Sequence, residues 1–155
     1  MSNQHEVRPG RVEDADVIAR LLHDFNREFD EPTPGPQSLA ERVRELLPRG
    51  EITVLLGGTG PDGIAVLRFR PDIWSQSLEC YLAELYVVPD MRGRGLGRAL
   101  MEAAIELARS KGAGYMDLGT GEDDVAARAL YESLGFSNRG GKPDGPLNYF
   151  YERDL

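Results

Sequence analysis

The sequence predicts an α/β (α+β) fold: a mixed, mostly antiparallel sheet with one parallel β-α-β crossover and helices on both faces. Three observations carry this. Two apolar runs, residues 52–56 and 64–69, flank a short loop rich in Gly, Pro and Asp, the pattern of an antiparallel hairpin. An apolar run over 80–88 leads into a glycine turn, an amphipathic stretch ending at Lys111-Gly112 and another short apolar run. Strand, helix and strand with a short return form a right-handed parallel crossover. Elsewhere, apolar residues recur every three or four positions, as a half-buried helix requires.

In chain order, residues 6–8 form a short first strand, ended by Pro9-Gly10. Glu13, Asp14 and Asp16 favour a helix N-terminus through the dipole. Ile18, Leu21, Leu22, Phe25 and Phe29 then make one apolar face. Residues 30–36 hold three prolines and a glycine and form a stiff, exposed loop. Ser38 caps a second helix, with Glu41 as its capping-box partner and Leu39, Val43, Leu46 and Leu47 on its apolar face. Pro48-Arg49-Gly50 closes it. The hairpin follows, then a loop over 71–76 and the strand over 80–88, antiparallel to the one before it. Leu96, Leu100, Ala103, Ala104 and Leu107 make the inner face of the next helix, which Gly112 and Gly114 end. Residues 115–118 are a short buried strand. A further helix from about Asp123 carries Ala126, Ala129, Leu130, Ser133 and Leu134 at helical spacing and stops at Gly135. Residues 136–138 and 147–151 are the last strands. Residues 1–155 read as a single domain.

The 155 residues suffice for one domain with a real core. Apolar content of 41% and charged content of 28% are those of a soluble globular protein. No apolar run is long enough to span a bilayer. Met1-Ser2-Asn3-Gln4-His5 lacks the apolar core of a signal peptide. A cytoplasmic protein with no membrane contact is expected, and a homodimer is compatible with this reading. Acidic residues number 26 and basic residues 18, a net charge of −8. That balance argues against nucleic-acid binding and is compatible with cationic small substrates. A single cysteine, Cys80, excludes an intrachain disulfide and a cysteine metal cluster, and no metal is expected. Cys80 reads as a small core residue. His5 and His23 lie in no motif.

The glycine turn stands out against this acidic background. A helix N-terminus leaves its first N–H groups unpaired and carries partial positive charge. Glycines at 93, 95 and 97 let a ligand approach the main chain. Arg92, Arg94 and Arg98 add full charges. Together these make a site for phosphates, a diphosphate above all. A dinucleotide site is a rival, because Asp117 stands in about the place of its acid, about 20 residues on. Against it, the spacing is G-x-G-x-G, Pro89-Asp90-Met91-Arg92 intervenes after the strand, and repeated βαβ units are missing. A P-loop is excluded, since no Gly-Lys-Ser/Thr follows. A turn that merely reverses the chain is the remaining alternative.

The stretch Leu85-Tyr86-Val87-Val88-Pro89-Asp90-Met91-Arg92-Gly93-Arg94-Gly95-Leu96-Gly97 resembles the acetyl-CoA signature of the GNAT superfamily of N-acetyltransferases, Arg/Gln-x-x-Gly-x-Gly/Ala, carried by Arg92, Gly95 and Gly97. Ala127-Arg128-Ala129-Leu130-Tyr131-Glu132-Ser133-Leu134-Gly135-Phe136 resembles the A-x-x-L-Y-x-x-x-G-F segment of that family, in the right order and separation. The element order matches the same fold across nearly the whole chain.

The resemblance implies direct transfer of acetyl from acetyl-CoA to a primary amine. The pyrophosphate would sit on amides from Arg92, Gly93, Arg94, Gly95, Leu96 and Gly97, with Arg98 close by. Val87 and Val88 would offer main-chain groups to the pantetheine, and an N–H near Tyr86 or Val87 would polarise the thioester carbonyl. Tyr131 matches the family tyrosine that meets the cofactor sulfur as acid. Glu84, alone in an apolar strand beside the thioester position, is the candidate base, because that setting raises a carboxylate pKa. Glu79 is the fallback, and a water chain is the other route. Position 124 is often asparagine in the family; Asp124 here can cap a helix but cannot donate as the amide does. The acceptor would lie among residues 25–36, 71–76 and 140–149. These carry Glu28, Asp30 and Glu31, and the aromatics Trp74 and Tyr149, a combination suited to a small cationic amine. The same fold also serves as a non-catalytic acyl-CoA-binding regulatory module.

Overall fold

The computed structural model describes residues 5–155; the polar N-terminal residues 1–4 lie outside the described residues. Apolar alternation on either side of the Gly60-Pro61-Asp62-Gly63 turn builds the sheet centre. β2 (Thr53–Gly57) and β3 (Gly63–Pro71) pair antiparallel, with Val54 opposite Val66 and Gly57 opposite Gly63. Asp62 closes the turn. Its N–H donates to Gly57 O at 2.8 Å and its carboxylate accepts from Gly60 N at 3.2 Å. β1 (Val7–Pro9) flanks β2, and β4 (Leu78–Val87) flanks β3, both antiparallel. β5 (Ala113–Asp117) joins β4 in parallel, giving the order β1-β2-β3-β4-β5. The chain passes from β4 to β5 through α3 (Leu96–Ser110).

Period-two alternation divides the apolar side chains between the two faces. α1 (Ala15–Glu28) and α2 (Pro36–Leu46) cover one. Ala15, Ile18, Leu21 and Val43 form a core there with Val54, Leu56, Ile64, Val66 and Tyr86. Burying each Leu or Ile contributes about 1.5–3 kcal/mol. α3 covers the other face with Leu96, Leu100, Met101, Ala104 and Ala108 buried. Gly57 and Gly63 lie under it; a Cβ on Gly63 would meet Leu100 Cδ1 at 2.9 Å and Tyr86 O at 3.2 Å. Gly63→Ala is therefore expected to destabilise the protein by about 1–3 kcal/mol, read from chemical denaturation, because the layers cannot separate without disturbing that core. Unchanged stability would mean that α3 shifts freely.

Four expectations need correction. The second helix starts at Pro36, not Ser38. Proline lacks the N–H that a first-turn residue leaves unpaired, so it opens the helix, and Gly35 takes the preceding position at φ 100°. α1 ends at Glu28, and Phe29 lies beyond it, 53% exposed. The loop that follows is strapped to α1: Asn26 Nδ2 donates to Pro32 O at 2.8 Å, and His23 Nδ1 bonds Thr33 Oγ1 at 3.0 Å. The two further corrections concern the C-terminal part.

The chain divides into two compact units, one ending at Leu118 and the other spanning Gly119–Leu155. In the second, α4 (Val125–Ser133) is capped by Asp124, whose carboxylate accepts from Ala127 N at 3.2 Å. Its inward side is Ala127, Leu130, Tyr131 and Leu134; Ala126, Ala129 and Ser133 are exposed, so the expected face is displaced by one residue. Residues 136–138 and 147–151 are not strands. A ladder needs repeated backbone pairs, whereas a single bond, Asn148 N to Asn138 O at 2.7 Å, joins these segments. Gly140 and Gly141 at positive φ, followed by Pro143 and Pro146, break the rest. Among the described residues, no helix is long and apolar enough to cross a membrane.

Candidate active site

Strand β4 carries the site in the first unit. It is longer than its parallel neighbour: among the described residues the ladder with β5 ends at Tyr81 opposite Asp117. From Leu82 to Val87 that edge of β4 has no β5 partner. An unpaired strand edge is a template for an extended ligand. On the β3 side, Val66 pairs with Glu84 and Leu67 with Leu82, so Ala83 is an unpaired bulge residue. Bulges re-aim neighbouring side chains. Antiparallel partners share a face, so Glu84 lies with Val66 on the side covered by α1, as does Tyr86 with Ile64.

β4 runs directly into the glycine turn. Val88 N donates to Asp62 O at 2.9 Å, and a short 3-10 turn, Pro89–Met91, follows. Gly93 and Gly95 take φ of 74° and 88°, values that glycine adopts without strain. Gly95 is the N-cap of α3 and brings no side chain to it. The first helical bond of α3 is Ala99 N to Gly95 O at 3.0 Å, so the amides of Leu96 and Gly97 precede the ladder. This is an anion cradle open to a phosphate, and the residues fit a diphosphate ligand. Arg94 and Arg98 are exposed beside it. His5 Nε2 donates to the Arg94 carbonyl, and an open groove lined by His5, Val7, Gly95, Arg98 and Ala99 adjoins the turn.

Arg92 does not stand with those arginines. Its Nε donates to Val87 O at 2.9 Å and its Nη2 to Glu28 Oε1 at 2.8 Å, with the guanidinium 5.6 Å from the Tyr86 ring centre. Glu28, expected at the acceptor side, thus already pairs with Arg92 and also accepts from Tyr86 Oη at 3.3 Å. Burial and the Glu28 charge raise the Tyr86 pKa.

The two candidate bases differ in their surroundings. Glu79 is bonded to Arg70 Nε, and Arg70 Nη2 also reaches both Asp117 oxygens at 3.2 and 3.1 Å. Glu84 is half-buried, and among the described residues its carboxylate has no hydrogen-bond partner. Burial raises its pKa, opposed in part by the Arg68 charge. In the second unit, Tyr131 is buried and its pKa is pushed up to about 12, mainly by burial and then by the Asp124 charge. Trp74 is 90% exposed at the tip of the β3–β4 loop, on a turn where Asp72 accepts from Trp74 N at 3.0 Å and Ser75 Oγ at 2.6 Å. Tyr149, also exposed, belongs to the second unit. Cys80 is buried and free, its thiol pushed up to about 11 by burial, as an inert core residue should be.

Spacing in the sequence gave no sign of the Arg92–Glu28 pair, which links positions 64 apart, nor of the bulge at Ala83. The Arg70–Asp117 pair also removes the acid on which a dinucleotide reading relied.

A long strand with a free edge that opens into an uncapped helix N-terminus defines a site for an extended ligand with an anionic end. Residues 18–136 match the acetyltransferase (GNAT) family, and the chain belongs to that family. The chain is 30% identical over 132 residues to YhfO, an uncharacterized N-acetyltransferase of Bacillus subtilis, covering 84% of this chain and 88% of that protein. A mycothiol acetyltransferase of Thermobispora bispora is 36% identical over 121 residues, and the chain spans 35% of its length. A crystal structure of a proposed acetyltransferase from Arthrobacter sp. FB24 superposes with a TM-score of 0.86 at 43% identity, covering 97% of this chain and 96% of that one. The dinucleotide alternative falls with this assignment.

Proposed function

We propose that this enzyme moves the acetyl group of acetyl-CoA directly to a primary amine of a small, cationic substrate. The observation that carries the reading is the unpaired edge of β4 running into the uncapped N-terminus of α3. GNAT enzymes use acetyl-CoA, which brings the acyl group as an activated thioester. The amides that open α3 hold its diphosphate, with Arg94 and Arg98 adding charge. The unpaired edge of β4 upstream of Val88 guides the extended arm. Val88, expected to pair with it, already spends its N–H on Asp62 O and its carbonyl on Met91 N, and Val87 O is held by Arg92. The strand N–H near Tyr86 or Val87 is what remains to polarise the acyl carbonyl. Glu84 takes a proton from the incoming ammonium, since only the neutral amine attacks. Its raised pKa brings it closer to that of a useful base. By the family resemblance, Tyr131 gives its proton to the departing sulfur; a phenol ordinarily holds its proton at neutral pH, and burial raises its pKa further.

A cationic acceptor is supported by the net charge of −8 and by exposed Asp24, Asp30 and Glu31 around the end of α1. Exposed Trp74, in the same unit, offers an aromatic face that suits a cation. Such metabolite chemistry fits a cytoplasmic enzyme. The test is thiol release from acetyl-CoA with a panel of amines: polyamines, aminoglycosides, amino acids and peptide N-termini. Cationic small amines are expected to lead. Turnover confined to neutral amines overturns the acceptor class. Thermal stabilisation by CoA with no thiol release for any amine marks a binding module instead.

A further inference from the structure

Arg92 opens the glycine signature, yet its guanidinium turns to the sheet face covered by α1. It contacts the Tyr86 ring and Glu28 there, whereas Leu96 of the α3 N-terminus packs on the opposite face, under Gly57 and Gly63. The geometry points to Glu28 and Arg92 as a positioning clamp that holds the donor turn against α1. This rests on the acetyl-CoA reading above.

The clamp has three anchor points. Arg92 Nε holds the last carbonyl of β4, Val87 O, at 2.9 Å. Its Nη2 holds Glu28, the last residue of α1, at 2.8 Å. The same Glu28 oxygen accepts from Tyr86 Oη at 3.3 Å, and the Tyr86 ring stacks on Phe25 of α1, with centroids 5.0 Å apart and planes 15° apart. Arg92 N also donates to Pro89 O at 3.3 Å, so both its backbone and its side chain secure the start of the turn. Glu28 and Arg92 side chains are 28% and 42% exposed, so solvent screens the pair only in part.

The turn beyond Arg92 needs such a hold. Gly93 and Gly95 permit many backbone states, and a ligand that binds one state is weakened by the fraction of molecules outside it. Glu28 therefore acts on the donor through Arg92. It contributes to acetyl-CoA affinity by keeping the turn in its binding conformation.

The experiment is calorimetric titration of the full chain with acetyl-CoA, alongside steady-state kinetics. Glu28→Ala is expected to raise the acetyl-CoA Kd about tenfold and its KM likewise, with kcat changed far less. Arg92→Ala should do the same, and the double variant should be no worse than either, because both remove one device. Glu28→Gln keeps an acceptor oxygen for Arg92 and Tyr86 and should retain most of the affinity. Thermal unfolding of each variant checks that the fold persists, and the glutamine variant supports the comparison if alanine does not fold. Fully additive losses overturn the clamp. So does a silent Glu28→Ala beside a weakened Arg92→Ala, which makes Arg92 a direct phosphate ligand. An unchanged acetyl-CoA Kd with a raised amine KM makes Glu28 an acceptor contact and overturns it too. A wild-type protein that does not bind acetyl-CoA sinks the donor reading itself, whereas wild-type binding with unaffected variants sinks the clamp alone.

Discussion

Tyr131→Phe is expected to lower kcat about 100-fold while leaving the fold intact. The departing sulfur leaves as a thiolate unless a proton reaches it, and a buried phenol is a donor that holds its proton at every pH where the amine reacts. Burial and the Asp124 charge push its pKa up to about 12. Phenylalanine keeps the ring, its volume and the edge contact with Phe136 at 6.1 Å, so packing is preserved and only the O–H is lost. The same shift has a stability signature. Above the ordinary value of 10.0 the unfolded phenol ionises while the folded one does not, so stability is lost as pH rises from there towards about 12. Tyr131→Phe removes that loss. A variant with unchanged kcat would assign Tyr131 to packing, whatever its effect on alkaline unfolding.

The sequence carried the parts of this fold that depend on local chemistry. The hairpin follows from alternation around Gly60-Pro61-Asp62-Gly63, and α3 follows from its apolar spacing and from Gly95. The phosphate cradle was equally visible, because an uncapped helix start after glycines is a local property. Long-range pairing was not visible. Nothing in the composition around Arg92 distinguishes a phosphate ligand from an arginine folded back on Glu28, and that choice is made only when α1 lies against β4. The bulge at Ala83 and the end of the β5 ladder at Asp117 are register properties, set by how strands slide on each other. The C-terminal run of residues 147–151 shows the converse error. Aromatic residues read as a strand, but with one backbone bond to residues 136–138 they have nothing to pair with there.

Glu84→Gln is expected to lower kcat by about 100- to 1,000-fold and, at the same time, to make the protein more stable at neutral pH. Both outcomes come from one fact: a carboxylate sits half-buried in β4 with no hydrogen-bond partner among the described residues. Burial raises its pKa above the ordinary 4.5. The unfolded chain then ionises first as pH rises, so stability falls through the window from 4.5 up to the raised folded value and stays lower above it. Glutamine carries no charge to desolvate, so its advantage should be present at pH 7 and vanish below about pH 4.5, as thermal unfolding at several pH values would show. Activity should respond in the opposite sense. Without a base the enzyme depends on amine that is already neutral, so the residual rate of the variant should climb with pH towards the amine pKa and partly recover there. Glu79→Gln gives the contrast: it disturbs the Arg70–Asp117 network, so it should cost stability and leave that pH dependence in place. A Glu84→Gln enzyme that gains stability but keeps the wild-type kcat and pH profile would make Glu84 a rim residue, and the proton would then leave by water.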